Sequence, residues 1–157
     1  MTKSFLFRLI VSFLAGVGLV SCDLPPPVTE NCEPTPFDEI GPFYRSGAPV
    51  RDAVGKGYLL KGRVLSTSGC RPLPGSRIEF WLVNPRGEYD DAHRATVFAD
   101  ANGQYRFESG RPVEYVNRKP HIHLLVKAAG HEELITQHYI RAGEGQAEFD
   151  LVLAPLP

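Results

Sequence analysis

The chain has 157 residues, of which 22% are charged and 43% hydrophobic, a composition typical of one globular domain with a single hydrophobic core. Its formal net charge is −1, and no basic patch indicates a nucleic-acid partner. No internal repeat or second domain is visible.

Residues 1–21 are predicted to be a signal peptide. Lys3 and Arg8 accompany an uncharged apolar stretch, Leu9–Val20, that is too short to span a bilayer comfortably. The stretch leads into Leu19-Val20-Ser21-Cys22, which resembles the bacterial lipobox, in which the cysteine is acylated and becomes the first mature residue. We therefore expect lipid attachment at Cys22 and a membrane-anchored protein on the periplasmic side of the cell envelope. The alternative is an ordinary signal peptide that is cleaved near a cysteine.

Processing before Cys22 would change the formal net charge from −1 to −3, because residues 1–21 contain two bases and no acid. With Cys22 lipidated, Cys32 and Cys70 remain in an oxidising compartment, where we expect them to form a disulfide. Residues 22–37 hold the lipidated cysteine and a proline-rich stretch without hydrophobic period, which indicates an extended tether. Residues 38–157 are predicted to be the folded domain.

The folded part consists of short apolar runs separated by turn residues. No sustained helical period follows the signal peptide. About seven short strands at this spacing predict an all-β fold, an antiparallel β-sandwich of seven to eight strands with long site-forming loops. The predicted strands are Tyr58–Ser66, Arg77–Asn84, Arg94–Ala99, Gln104–Glu108, His121–Ala128, Leu134–Ile140 and Ala147–Leu153.

Two connections are long for a sandwich, Asp38–Gly57 before the first strand and Ser109–Pro120 between two strands. Long loops on a rigid sandwich are where a functional site is usually built. Both loops contain residues of interest below.

The strongest chemical signal is His121-Ile122-His123 in a predicted strand. Side chains alternate along a strand, so the two imidazoles point to one face while Ile122 points to the core. Two such histidines can bind one metal ion, although a pair of solvated histidines would give the same pattern.

Two upstream tyrosines favour the metal. Tyr115 lies in the linker that leads into the histidine strand, and Tyr89 lies in the turn Pro85–Asp91. Phenolate is a hard anionic donor, so two tyrosinates and two imidazoles suit Fe(III) better than zinc or copper(I). Four protein ligands also leave a coordination position for water or substrate.

At these residues the chain resembles the intradiol ring-cleavage dioxygenases, in particular those like protocatechuate 3,4-dioxygenase. The resemblance runs from about Gly41 to Tyr139. The most specific block is Arg118-Lys119-Pro120-His121-Ile122-His123. The other matching blocks are Gly41-Pro42-Phe43-Tyr44, Pro72-Leu73-Pro74-Gly75, Glu79-Phe80-Trp81-Leu82-Val83-Asn84, Gly87-Glu88-Tyr89-Asp90, Asp100-Ala101-Asn102-Gly103-Gln104-Tyr105-Arg106-Phe107, Pro112-Val113-Glu114-Tyr115 and Leu134-Ile135-Thr136-Gln137.

The resemblance implies a non-haem iron(III) dioxygenase that acts in aromatic compound catabolism. It cleaves a catechol-type ring with O2 to a muconate-type dicarboxylate. Tyr89, Tyr115, His121 and His123 match the four iron ligands, and Tyr115 matches the ligand that leaves when substrate chelates. Arg118 matches an arginine beside the substrate ring, and Gln137 matches a glutamine near the reacting centre.

Other polar and aromatic residues are interpreted as structural. His93, His131 and His138 are expected not to bind metal, and Trp81 and Tyr105 are expected to serve packing. Pro42 and Tyr44 are candidates for the substrate mouth or for packing of the N-terminal segment.

A non-catalytic β-sandwich that binds metal or catechol-type siderophores on the cell envelope is the alternative function. The substrate among catechol, protocatechuate, hydroxyquinol and lignin-derived catechols is open. The oligomeric state is open too, with a homo-oligomer among the candidates.

Overall fold

The computed structural model of the protein describes residues 32–157. Within this range every regular element is a strand, which confirms the all-β prediction. The predicted signal peptide and the predicted lipidation at Cys22 lie outside the described residues. No helix in the range 32–157 has the length and apolar character needed to cross a membrane. The strands are β1 (Tyr58–Ser66), β2 (Arg77–Val83), β3 (Tyr89–Phe98), β4 (Gln104–Ser109), β5 (His121–Lys127), β6 (Leu134–Tyr139), β7 (Gln146–Glu148) and β8 (Leu151–Leu153).

Two sheets form the sandwich. The site-bearing sheet has the order β3-β2-β5-β6, and all its neighbours are antiparallel. The other sheet has the order β4-β1-β7, and β8 also pairs with β1. The pairing of β1 with β4 is antiparallel, whereas its pairings with β7 and β8 are parallel. The predicted antiparallel sandwich is therefore confirmed, with a parallel edge that the sequence did not indicate.

Alternation along the strands produces the core between the sheets. On β5, Ile122, Leu124 and Val126 are fully buried and point inward, as predicted from the sequence. Phe80 of β2 stacks on Phe107 of the opposite sheet, with ring centroids 4.1 Å apart. Burying a side chain of this size stabilises the fold by about 1.5–3 kcal/mol. The core thus fixes which face of β5 carries its histidines.

Two predicted strands differ from the structure by more than one residue at an end. β3 begins at Tyr89 and not at Arg94. The sequence pattern did not indicate its first residues, because they are mostly polar, are partly exposed and show no alternation. The predicted strand 147–153 is two short strands, since Asp150 turns towards β1. Its carboxylate accepts hydrogen bonds from the backbone N–H of Arg63 at 2.8 Å and from the guanidinium of Arg63 at 2.9 Å.

Residues 32–57, here called the arm, wrap around the sandwich before β1 begins. A disulfide joins Cys32 to Cys70 in the turn after β1. The backbone N–H of Asp38 then donates to Ile135 of β6 at 2.9 Å, and Pro49 accepts from Thr96 of β3 at 2.8 Å. The arm therefore crosses from β6 to β3, over the outer face of the site-bearing sheet.

Candidate metal centre

His121 and His123 lie side by side on the outer face of β5. The alternation that sends Ile122 inward sends both imidazoles outward, and their Nε2 atoms are 3.2 Å apart. The sequence suggested a sheet surface, but the arm covers it, so the two residues are only 3% and 2% exposed. The histidine pair is therefore buried although it lies outside the core.

Tyr89 completes a triangle of donor atoms. Its hydroxyl oxygen lies 3.0 Å from Nε2 of His123 and 3.4 Å from Nε2 of His121. Three atoms at these separations can all lie about 2 Å from one common point, which is the length of a typical bond from histidine to a metal ion. The interpretation of Tyr89 as a turn residue was wrong: it is the first residue of β3. Its pairing with Val83, beyond a register shift in β2, directs it to this face.

Tyr115 lies in the wall of the same site. Its ring packs edge-on against the ring of Tyr89, with centroids 5.5 Å apart. The backbones of Tyr115 and Arg118 hydrogen-bond to each other in both directions, which closes a two-residue turn formed by Val116 and Asn117. Tyr115 is thus held in an ordered turn, where the sequence suggested an unstructured linker.

The surroundings of the histidines orient their rings. Nδ1 of His121 donates to the carbonyl oxygen of Lys119 at 2.7 Å, so the Nε2 lone pair faces the other donors. The ring of His123 stacks on Trp81, with centroids 4.9 Å apart and planes 8° from parallel. This stacking on Trp81 orients the ring of His123.

Burial sets the protonation states of these donors. It lowers the pKa of His123 to about 3, with the neighbouring His121 and Arg118 adding to the effect. Burial also lowers the pKa of His121. For Tyr89, burial raises the pKa to about 12, and the positive charge of Arg118 opposes that rise. At neutral pH the imidazoles are therefore in their metal-binding form, whereas Tyr89 keeps its proton until a cation displaces it.

The donor set fits the ferric ion that the sequence implied. Among residues 32–157, no group of three or more histidine, cysteine or carboxylate side chains could hold a metal. At this site the tyrosines supply the further candidate donors, and phenolate is a donor suited to a hard cation. Tyr89, His121 and His123 would hold the ion, with Tyr115 as the fourth ligand.

Arg118 and Gln137 are in direct contact beside the site. A guanidinium nitrogen of Arg118 donates to the side-chain oxygen of Gln137 at 2.8 Å and to the hydroxyl of Tyr139 at 2.9 Å. The amide of Gln137 in turn donates to the carbonyl of Glu39 at 2.7 Å, and Tyr139 donates to Asp38 at 3.0 Å. Gln137 therefore links Arg118 to the arm, in a role that its position in a strand did not indicate.

The sequence interpretation missed three residues that help to enclose the site, Gly41, Phe43 and Val116, whereas Pro42 was among its candidates for the substrate mouth. Gly41, Pro42, Phe43 and Val116 line a cavity of about 230 Å³ together with Tyr89, Tyr115, Arg118 and His123. Phe43 stacks on Tyr89, with centroids 4.5 Å apart. Tyr44 does not line this cavity and instead hydrogen-bonds Glu79. The family block Gly41-Pro42-Phe43-Tyr44 was the only sequence signal for these contacts.

The remaining histidines lie elsewhere and have other partners. His93 contacts Asp90 at 2.7 Å, His138 contacts the hydroxyl of Tyr58 at 2.7 Å, and His131 contacts Ser66 at 3.0 Å. Tyr105 is 4% exposed within the core, in agreement with its expected packing role.

Comparison with known proteins relates the chain to ring-cleaving dioxygenases. Residues 44–154 match a protein family described as dioxygenase. The chain is 32% identical to hydroxyquinol 1,2-dioxygenase from Rhodococcus opacus, covering 89% of this chain and 56% of that protein. It is also 32% identical to catechol 1,2-dioxygenase from Pseudomonas sp. strain EST1001, covering 66% of this chain and 46% of that protein. The chain thus spans about half the length of these curated relatives.

Solved structures share the fold. The dioxygenase domain of a dioxygenase carbohydrate-binding protein fusion from Streptomyces sp. SirexAA-E superposes with a TM-score of 0.71 at 28% identity, covering 79% of this chain and 100% of that chain. Chlorocatechol 1,2-dioxygenase from Pseudomonas putida superposes with a TM-score of 0.62 at 23% identity, covering 73% of this chain and 70% of that chain. The second likeness concerns the fold alone.

Proposed function

Because the chain belongs to the intradiol ring-cleavage dioxygenase family, we propose that it cleaves a catechol-type ring with O2 and that Fe(III) is its cofactor. The bond between the two hydroxyl-bearing carbons breaks, and both oxygen atoms of O2 enter the product, a muconate-type dicarboxylic acid. The atoms balance without an external reductant. The curated relatives are named for catechol and hydroxyquinol substrates, and the choice among catechols stays open for this chain.

The observation that carries the proposal is the convergence of Tyr89, His121 and His123, whose donor atoms lie 3.0–3.4 Å apart. Tyr89 and His123 also line a cavity together with Tyr115. A bound ferric ion would supply the Lewis acidity that lets a catechol bind as a dianion and react with O2. Neutral imidazoles and a hard phenolate suit Fe(III) better than they suit zinc.

The side chains around the cavity have separate tasks in this proposal. Tyr115, as a phenolate, accepts a proton from one catechol hydroxyl at its own Oη. The guanidinium of Arg118 stabilises negative charge that develops on the ring. Gln137 and Tyr139 hold Arg118 in place through hydrogen bonds of 2.8 and 2.9 Å.

The test begins with the colour and metal content of the purified protein. Ferric tyrosinate produces a visible charge-transfer band, so iron-loaded protein should be red-brown, and the band should shift when a catechol binds. In an oxygen electrode, equimolar O2 and catechol should disappear together, and the product should be the intradiol dicarboxylate. A colourless protein that prefers zinc would overturn the proposal. A coloured protein that chelates catechols without consuming O2 would instead favour the metal- or siderophore-binding alternative.

A further inference from the structure

Glu79 is a buried carboxylate outside the core and outside the metal centre. It points to the outer face of β2 and is only 1% exposed. A buried charge is costly unless it is paired and hydrogen-bonded. Glu79 has two such partners, the guanidinium of Arg77 at 2.6 Å and the hydroxyl of Tyr44 at 2.7 Å.

Tyr44 connects this carboxylate to the metal centre. Its ring packs on Trp81 with centroids 5.1 Å apart, and Trp81 stacks on His123 at 4.9 Å. Tyr44 belongs to the arm, while Glu79 and Trp81 belong to β2. The contact between Tyr44 and Glu79 therefore fixes a loop residue to a rigid strand, directly beside a candidate ligand.

The arm residues just before Tyr44 contact the candidate ligands themselves. Gly41, at a φ of +69°, approaches so closely that an added Cβ would lie 3.3 Å from Cε1 of His123. Phe43 stacks on Tyr89 at 4.5 Å and meets the ring of Tyr115 edge-on at 5.7 Å. Three of the four candidate ligands thus have an arm residue as a packing partner.

We propose that Tyr44 and Glu79 are positioning residues of the metal centre: their partly buried hydrogen bond holds Gly41 and Phe43 against the ligand side chains. The inference rests on the proposed function, because its main measurement is ferric-ion affinity. In metal sites, residues that orient ligands through contacts of this kind typically contribute about 10- to 100-fold to metal affinity.

The experiment compares Tyr44→Phe, which removes one hydroxyl, with the control Tyr105→Phe. Tyr105 is a more deeply buried tyrosine whose hydroxyl donates to the carbonyl of Phe149 at 2.6 Å, on the other sheet. Glu79→Gln is the second variant and preserves the shape of the side chain. Ferric-ion affinity is measured by chelator competition. Acrylamide quenching of the single tryptophan, Trp81, measures the seating of the arm without metal.

Tyr44→Phe should lower ferric-ion affinity by about 10-fold or more and should raise quenching of Trp81, because the released arm exposes the indole. Glu79→Gln should act in the same direction, because an amide accepts the hydrogen bond of the Tyr44 hydroxyl less strongly than a carboxylate does. The double variant should lose little more ferric-ion affinity than Tyr44→Phe alone, because both changes act on affinity through the same hydrogen bond. Tyr105→Phe should leave affinity and quenching unchanged even where it lowers stability.

Wild-type protein that binds no ferric ion would overturn the proposed function, and the quenching comparison would then decide alone whether the arm is held by this contact. Wild-type protein that binds iron, with Tyr44→Phe unchanged in affinity and quenching, would overturn the positioning role only. Equal losses of affinity in Tyr44→Phe and Tyr105→Phe would also overturn it, since general destabilisation would explain both.

Discussion

At the scale of single residues, the pKa values of the donors make metal binding a proton-releasing reaction. Burial raises the pKa of Tyr89 to about 12 and lowers that of His123 to about 3. Around neutral pH the histidines have no proton to lose, whereas each tyrosine that binds as phenolate must release one. Metal affinity should therefore rise with pH.

The predicted size of this pH dependence is about tenfold in ferric-ion affinity per pH unit for each tyrosine that is deprotonated on binding. Chelator competition between pH 6 and 8, corrected for protonation of the chelator, measures the slope. Tyr89→Phe should reduce the slope by about one proton and lower the affinity, because it removes one of four ligands. An affinity independent of pH would contradict phenolate ligation.

Arg118 should affect turnover more than metal content. Its guanidinium contacts Gln137 and Tyr139 and no candidate ligand, so Arg118→Ala should keep the iron and its visible band. Ring opening should slow by about 100-fold, the typical loss when one stabilising donor is removed. Arg106→Ala is the control, since Arg106 forms an exposed ion pair with Glu108 on the other sheet. Loss of iron from Arg118→Ala would assign the residue to the metal site instead.

The sequence predicted the candidate ligands but not the residues that enclose them. His121 and His123 follow from alternation within one strand, which is a local property. Phe43 and Gly41 reach the site only because the arm crosses the sheet, and no local period records such a crossing. The expected packing role of Trp81 agrees with its burial, while its stacking on His123 depends on the register of β2 against β5.

At the scale of elements, strands were predictable where burial alternates and less so elsewhere. The predicted strand Tyr58–Ser66 matches β1 to the residue. The start of β3 was missed because residues 89–93 show no alternation of burial; Tyr89 pairs with Val83 beyond a register shift. The parallel pairing of β7 and β8 with β1 depends on how the chain returns to the first sheet, which strand composition does not specify.

The turn that carries Tyr115 and Arg118 has an unfavourable residue, Val116, at the first of its two central positions. Val116 and Asn117 have φ values of 45° and 62°, the left-handed pair that a two-residue hairpin turn requires. Asparagine tolerates this conformation, whereas a β-branched valine does so at a cost. The turn is therefore formed against the preference of Val116.

Val116→Asn should stabilise the protein by about 1 kcal/mol, because it relieves left-handed strain without adding the flexibility of glycine. Val50→Asn is a matched control: both valines are 72% exposed, but Val50 is not at positive φ. Urea denaturation should show a higher midpoint with an unchanged slope for Val116→Asn only. An equal gain from both substitutions would attribute the effect to reduced surface hydrophobicity and not to the turn.

At the scale of the whole molecule, the disulfide between Cys32 and Cys70 attaches the start of the arm to the sandwich. The cysteines are 38 residues apart, and constraining a loop of this length stabilises the folded state by roughly 3–4 kcal/mol in the chain-entropy model. Replacing both cysteines by serine should lower the free energy of unfolding by about that amount, measured by denaturant titration. Reduction of the wild type should give a similar loss, and non-reducing peptide mapping should recover the linked pair. Two free thiols in protein purified without reductant would contradict the prediction.

Removal of the disulfide and removal of the Tyr44 hydroxyl should have different effects. The disulfide holds residue 32, whereas the part of the arm that touches the ligands begins at Gly41 and has its own attachments through Glu39 and Tyr44. The cysteine variant should therefore lose stability with little change in metal affinity, and Tyr44→Phe should do the reverse.

Membrane attachment is the prediction that concerns the largest scale, and it rests on sequence alone. Leu19-Val20-Ser21-Cys22 predicts lipid on Cys22. The ten residues from there to Cys32 span at most about 30 Å even when fully extended, so the anchored domain would stay close to the bilayer. Cys22→Ala should prevent acylation, because the thiol is the site of attachment, and should move the protein to the soluble fraction or block its processing. Membrane fractionation and the mass of the mature N-terminus measure both effects, with the disulfide-free Cys32→Ser, Cys70→Ser form as the control that keeps Cys22 and the lipobox. Because acyl chains and not the folded domain hold the protein at the membrane in this hypothesis, Cys22→Ala should retain its iron and activity. Unchanged membrane association and processing of Cys22→Ala would contradict the lipoprotein prediction without affecting the proposed chemistry.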